Sequence, residues 1–262
     1  MPAARPAPLT HRRLVVDGRA VEVRGTFDRG RPAVVLVHGI GVSGEYFLPL
    51  AAALAADRDV YALDLPGHGT APGPRRPLSV PELARVLAGT VRALELRAPV
   101  LVGHSMGCQV VVDAVAGDPG LCAGWVLLGP TVDASARGPL RQAWRLLRDT
   151  LREPPATNRV ILRNYLRMGP VRYLRTVRTM LADRIEADLP RCAAPGLVVR
   201  GARDPIAPRR WAEQLARLAR RAGCLEIPAA AHAVQHTRPQ ELAAACAPFL
   251  DALAGRTVPP GS

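Results

Sequence analysis

Gly103-His104-Ser105-Met106-Gly107 decides how this chain is read. The stretch follows an apolar run, Pro99-Val100-Leu101-Val102, and precedes Cys108–Ala116, whose composition predicts a helix. A Gly-x-Ser-x-Gly pentapeptide between a strand and a helix places the serine on a turn too tight for a Cβ at either flank. Such a turn holds the hydroxyl above the sheet edge, where a base and a substrate both reach it. The pentapeptide alone is a weak signal, but three further pieces lie where the same chemistry needs them.

Upstream, Ala33-Val34-Val35-Leu36-Val37 reads as a buried strand ending in His38-Gly39-Ile40-Gly41. An oxyanion hole needs two backbone N–H groups aimed at the developing charge. Met106, after the serine, supplies one, and Ile40 the other. Downstream, Pro195–Arg200 reads as a strand leading into Gly201-Ala202-Arg203-Asp204-Pro205, which sets Asp204 just beyond a strand's carboxyl end. Cys224–Pro228 reads as the next strand, followed by Ala229-Ala230-Ala231-His232. His232 is the candidate base, with His236 as its rival four residues on. Asp204 is the candidate acid, with Asp133 as its rival.

These landmarks (HGIG at His38, DLPGHG at Asp64, GHSMG at Gly103, and RGARDP with AAAHAV near the end) resemble those of α/β-hydrolase-fold serine hydrolases of the esterase and lipase kind. The resemblance covers roughly Arg13 to Leu253, and the order Ser105, Asp204, His232 is the order that family uses. It implies a mainly parallel central sheet flanked by helices, with a helical cap inserted after the sixth strand.

Composition fits. A chain of 262 residues with 48% hydrophobic content is long enough to bury the core of one α/β domain. No apolar run approaches the length of a membrane span, and the N-terminus shows no apolar segment of the signal-peptide kind. Five scattered cysteines form neither a metal spacing nor a disulfide framework, so a cytoplasmic location is expected. The formal charge of +13 invites a nucleic-acid reading. All 35 basic residues are arginine, as in the amino-acid usage of a GC-rich genome. They are spread along the chain and no nucleic-acid motif accompanies them, so no nucleic-acid partner is expected. A preference for anionic substrates or surfaces stays open.

Strand and helix patterns alternate along the chain, which argues for a parallel sheet covered on both faces. Arg13 to Gly25 reads as a hairpin turning at Asp17-Gly18. Glu45–Ala56 has helical spacing, and Ser79 with Glu82 forms a capping box. The segment 131–190 breaks the alternation, with Leu140, Trp144, Leu147 and Leu151 at three- and four-residue steps before Pro154-Pro155 ends that helix. This is the segment the resemblance makes a cap. The expected organisation is a disordered lead-in at 1–12, a core at 13–130 and 191–254, the cap at 131–190 and a flexible tail at 255–262. Gly39, His104, Trp144 and Tyr165 are the candidate substrate-binding residues. A structural role competes for His104, His38 reads as support for the oxyanion loop, and the Asp64–Gly69 loop as structural. The cap arginines, among them Arg141, Arg145, Arg148, Arg163 and Arg167, read as the solvated faces of amphipathic helices.

The chemistry follows from the residue types. Ser105 needs a base within reach. His232 takes its proton and returns it to the leaving group, and Asp204 fixes the imidazole tautomer. The expectation is hydrolysis of a carboxylic ester, lactone or thioester with an apolar acyl group, through an acyl-enzyme on Ser105. This chemistry requires no metal and no organic cofactor. C–C bond hydrolysis of the meta-cleavage type and perhydrolysis or acyl transfer use the same kind of triad and stand as alternatives. A non-catalytic small-ligand receptor with this fold is the alternative of another class.

Overall fold

The computed structural model describes residues 9–27 and 29–257. Eight strands form one sheet in the order β1-β2-β4-β3-β5-β6-β7-β8. β1 (Thr10–Val16) and β2 (Arg19–Gly25) form the expected hairpin, turning at Asp17 and Gly18 with φ of 49° and 71°. Two successive positive φ values are what a two-residue hairpin turn needs to match strand twist. β1 starts at Thr10, so the expected lead-in overreached at residues 10–12, and residues 1–8 lie outside the described residues.

β3 (Ala33–Val37), β4 (Asp59–Asp64), β5 (Val100–His104), β6 (Gly124–Leu128), β7 (Gly196–Gly201) and β8 (Ala222–Ile227) run parallel. β2 joins β4 antiparallel. The central strands are near-continuous Val and Leu because both faces are covered. Alternate residues feed alternate cores. Val35 and Val37 pack with α2 (Val80–Ala93) and α3 (Met106–Gly117) on one face. Val34 and Leu36 pack on the other face with α1 (Leu48–Leu54) and residues of the last helix. The period of two along a strand divides the core in this way. Ser79 and Glu82 form the expected capping box at the start of α2.

After β6 the chain leaves the sheet. α4 (Pro139–Thr150), α5 (Pro155–Met168) and α6 (Pro170–Ala182) make the cap. Pro155 opens α5 rather than ending α4, because proline's missing N–H costs nothing in a first helical turn. α7 (Ile185–Asp188) already belongs to the core: Ile185 and Leu189 are buried in the cluster that includes α3. The cap therefore ends near Ala182 rather than at 190. α8 (Arg209–Leu218) lies between β7 and β8 in the chain, and the short α9 (Val234–Thr237) leads into α10 (Pro239–Thr257). α10 continues through 255–257, where a flexible tail was expected, and residues 258–262 lie outside the described residues.

The chain runs from β3 to β4 on one side, then crosses back to place β5 on the other side of β3. In a parallel α/β sheet this reversal opens a crevice beyond the carboxyl ends of the two strands. The HGIG loop leaves β3 at that point, and Ser105 leaves β5.

Candidate active site

Ser105 sits between β5 and α3 with φ 55° and ψ −119°. That conformation is costly for a residue with a Cβ and persists only where its surroundings impose it. A Cβ on Gly103 would lie 2.5 Å from the Gly107 carbonyl oxygen, and one on Gly107 would strike the Val37 carbonyl. Both flanks of the pentapeptide are therefore closed to side chains by neighbouring backbone. The Ser105 N–H donates to the Leu128 carbonyl at 2.9 Å, tying the turn to the end of β6.

His232 Nδ1 lies 2.8 Å from Asp204 Oδ2. The other carboxylate oxygen, Oδ1, accepts the N–H groups of Ile206 at 2.7 Å and Ala207 at 3.0 Å, which keeps Asp204 ionised while buried. Burial opposes the charge on His232, but Asp204, with Asp149 and Glu153 behind it, outweighs burial and pushes the imidazole up to about 9. His232 and Ser105 line the same cavity of about 360 Å³.

Three supports were not legible in the sequence. Gly129, after β6, has φ +53°, and a Cβ there would lie 2.8 Å from His232 Nδ1 and 3.0 Å from Asp204 Oδ2. Only glycine leaves room for the couple. Arg200, in β7, is buried and donates to the carbonyls of Ala207 at 2.8 Å and Asp204 at 3.2 Å, so the acid's loop is wound around a guanidinium. The third support comes from the cap. Asp149 accepts the backbone N–H of His232 at 3.1 Å, and Glu153 that of Ala233 at 2.7 Å. Burial raises Asp149 to about 6 and Glu153 to about 7. Two acids of the cap, of which Asp149 also lines the cavity, thus tie it to the loop that carries His232.

The histidines divide by partner. His104 is buried, and its Nε2 donates to the His232 carbonyl at 3.1 Å. Burial holds that ring well below its ordinary value, so it stays neutral. Its ring also borders the cavity, but its polar bond is to the protein. His38 Nε2 accepts the Leu65 N–H at 3.0 Å, which leaves Nδ1–H to donate to the Gly39 carbonyl at 2.7 Å. His38 thus braces the loop that carries Ile40. His236 stacks on Tyr46 with ring centroids 5.2 Å apart, away from Asp204. Asp133 is taken up by Arg145 at 2.8 Å and Arg210 at 2.5 Å, which leaves Asp204 as the acid on the histidine. Asp64 is fully buried and accepts from Gly44, Thr70 and Arg24 at 2.6–2.9 Å, so the Asp64–Gly69 loop is held as scaffold.

Of the candidate substrate contacts, Gly39, His104 and Tyr165 line the cavity with Ser105 and His232, as does the oxyanion candidate Ile40. Tyr165 packs on Tyr173 at 4.8 Å and closes over Gly41. Met106 is fully buried at the start of α3, the position from which its N–H follows the serine. Trp144 is displaced from its expected place. It is 60% exposed and lines a separate outer groove with Arg141, Arg148 and Arg210. Leu140, Leu146, Ile161, Leu174 and Val177 supply the apolar cap lining instead.

The model of the alpha/beta hydrolase family matches residues 34–245. An uncharacterized hydrolase of Bacillus subtilis (strain 168) is 36% identical over 118 residues, 45% of this chain and 43% of that protein. A pimeloyl-[acyl-carrier protein] methyl ester esterase of Xanthomonas campestris pv. campestris (strain B100) is 35% identical over 88 residues, 34% of this chain and 33% of that protein. The chain thus matches less than half the length of these two relatives. Among solved structures, a membrane phospholipase A described as a bacterial virulence factor superposes with a TM-score of 0.81 at 22% identity, covering 96% of this chain and 88% of that one. A likeness at that identity shows the fold.

Proposed function

This chain belongs to the alpha/beta hydrolase family, and from that premise we propose that it cleaves carboxylic esters through an acyl-enzyme on Ser105. The observation that carries the reading is the buried His232–Asp204 couple opening into the same apolar cavity as the strained serine. His232 Nδ1–H is committed to Asp204, which leaves Nε2 as the acceptor for the serine proton. Ser105 Oγ attacks the ester carbonyl. The N–H groups of Met106 and Ile40 hold the oxyanion, and His232 returns the proton to the departing alkoxide. Water, deprotonated by the same imidazole, then releases the acid. An apolar lining of Leu146, Ile161 and Val177 supports an apolar acyl group, and a volume of about 360 Å³ favours a short-to-medium chain.

The test is hydrolysis of p-nitrophenyl esters from acetate to dodecanoate by wild type and Ser105→Ala. The expected result is activity that falls by at least about 10³-fold in the variant, with an optimum at intermediate chain length. Equal rates in the two proteins would overturn the reading.

A further inference from the structure

The cap carries its apolar stripe on the wrong side for a core helix. Of ten large apolar side chains exposed among the described residues, eight lie between Leu140 and Leu174. On α4 they are Leu140, Trp144, Leu147 and Leu151, one face at three- and four-residue steps, and on α5 Leu162 and Leu166. An exposed apolar face of this extent marks an interaction surface. Its charge identifies the partner. Residues 139–182 hold ten arginines and two acids, and both acids, Asp149 and Glu153, are buried against the catalytic loop. The cap therefore contributes no exposed carboxylate of its own to its outer face, and Glu45 of the core reaches it, pairing with Arg163 and Arg167. Leu140 and Leu174 belong both to this face and to the cavity lining, so the face is continuous with the mouth above Ser105.

We propose that the outer face of the cap docks on an anionic lipid surface, presenting the cavity mouth to the bilayer. Leucine and tryptophan interleaved with arginine is the composition that seats a helix in the interface, the apolar side chains entering the acyl boundary while guanidinium groups reach phosphates. Each arginine near an anionic surface adds attraction that salt screens. A second copy of this chain is a poor occupant, because it would set one cationic face against another. Docking does not depend on Ser105 chemistry, so it is readable in the Ser105→Ala protein.

The molecule contains its own reporter. Trp125 and Trp211 are fully buried, and Trp144 is the remaining one of three tryptophans. The full chain is mixed with phosphatidylglycerol-containing vesicles, with pure phosphatidylcholine vesicles, and with a purified acidic acyl carrier protein, while tryptophan emission and co-sedimentation are followed. The expected result is a blue shift and partitioning at least about tenfold stronger on anionic than on neutral vesicles, weakening as salt rises. Leu147→Ser/Leu151→Ser and Leu162→Ser/Leu166→Ser, all at exposed positions, are each expected to cut partitioning about tenfold. No blue shift with anionic vesicles at low salt overturns the proposal. Wild-type partitioning by both double variants also overturns it. A response to the carrier protein without one to vesicles would assign the face to a protein partner and overturn it too.

Discussion

At Asp149 a carboxylate of the cap touches His232 through its backbone, not its ring. The negative charge is nonetheless felt by the ring, since it adds to the forces that raise His232. In the proposed mechanism a neutral His232 takes the serine proton, so kcat/KM should rise with pH through a value above the ordinary 6.5 of histidine. Replacing the carboxylate by an amide keeps an oxygen to accept the His232 N–H but removes the charge that favours imidazolium. Asp149→Asn should therefore move the acid limb of the pH profile to lower pH, by about half to one unit. An unmoved limb would show that Asp149 acts on the backbone alone. Ser105, Asp204 and His232 could be singled out as candidates because each follows an apolar run that reads as a strand. Asp149 and Glu153 could not be: two acids at and just beyond the end of an arginine-rich helix read as surface charge. Nothing local tells an acid that its neighbours across the fold are two unsatisfied backbone N–H groups.

Among the elements, β7 shows how a strand can carry its own loop. Arg200 is buried and spends its donors on carbonyls at 202, 204 and 207, besides pairing with Glu226. Arg200→Met would leave those carbonyls without their partner and release the loop that aims Asp204. The cost expected is about 2–4 kcal/mol, seen as a melting temperature lower by roughly 5–10 °C and as a fall in kcat larger than any change in KM. A melting curve and rate like wild type would remove Arg200 from this role. The strands were readable because buried parallel strands are Val- and Leu-rich throughout. α4 was readable as a helix, yet its orientation was inverted. Period reveals a stripe but not which way it faces, and the usual inference that apolar means inward fails where an outer partner replaces the core. Trp144 was placed in the pocket on that inference.

Across the whole molecule, two kinds of adhesion hold the parts together. The sheet is packed on both faces by fully buried Val, Leu, Phe and Trp. The cap helices bury little of that kind. α4 fully buries only Asp149, α5 Thr157 and Asn164, and α6 Thr176 and Met180. Polar stitching such as Arg145 to Asp133 and Arg172 to the Pro74 carbonyl does the rest. Segments with few buried apolar contacts open at lower free energy than the core. Hydrogen exchange should accordingly find amides of 139–182 exchanging well before those of β3, β5 and β6. Equal protection in cap and sheet would mean that the two unfold as one unit. No helix among the described residues is long and apolar enough to cross a membrane.

Glu153 and Asp149 also limit how such a protein can be recombined. A cap that leaves the core after β6 and rejoins it at α7 is attractive as an exchangeable module. Here the cap itself supplies the acceptors of two hydrogen bonds from the loop that carries His232. A foreign cap lacking acids at those two positions would leave the His232 and Ala233 N–H groups without acceptors and the histidine less firmly aimed. In this chain, the cap and the loop carrying His232 are inherited as a pair.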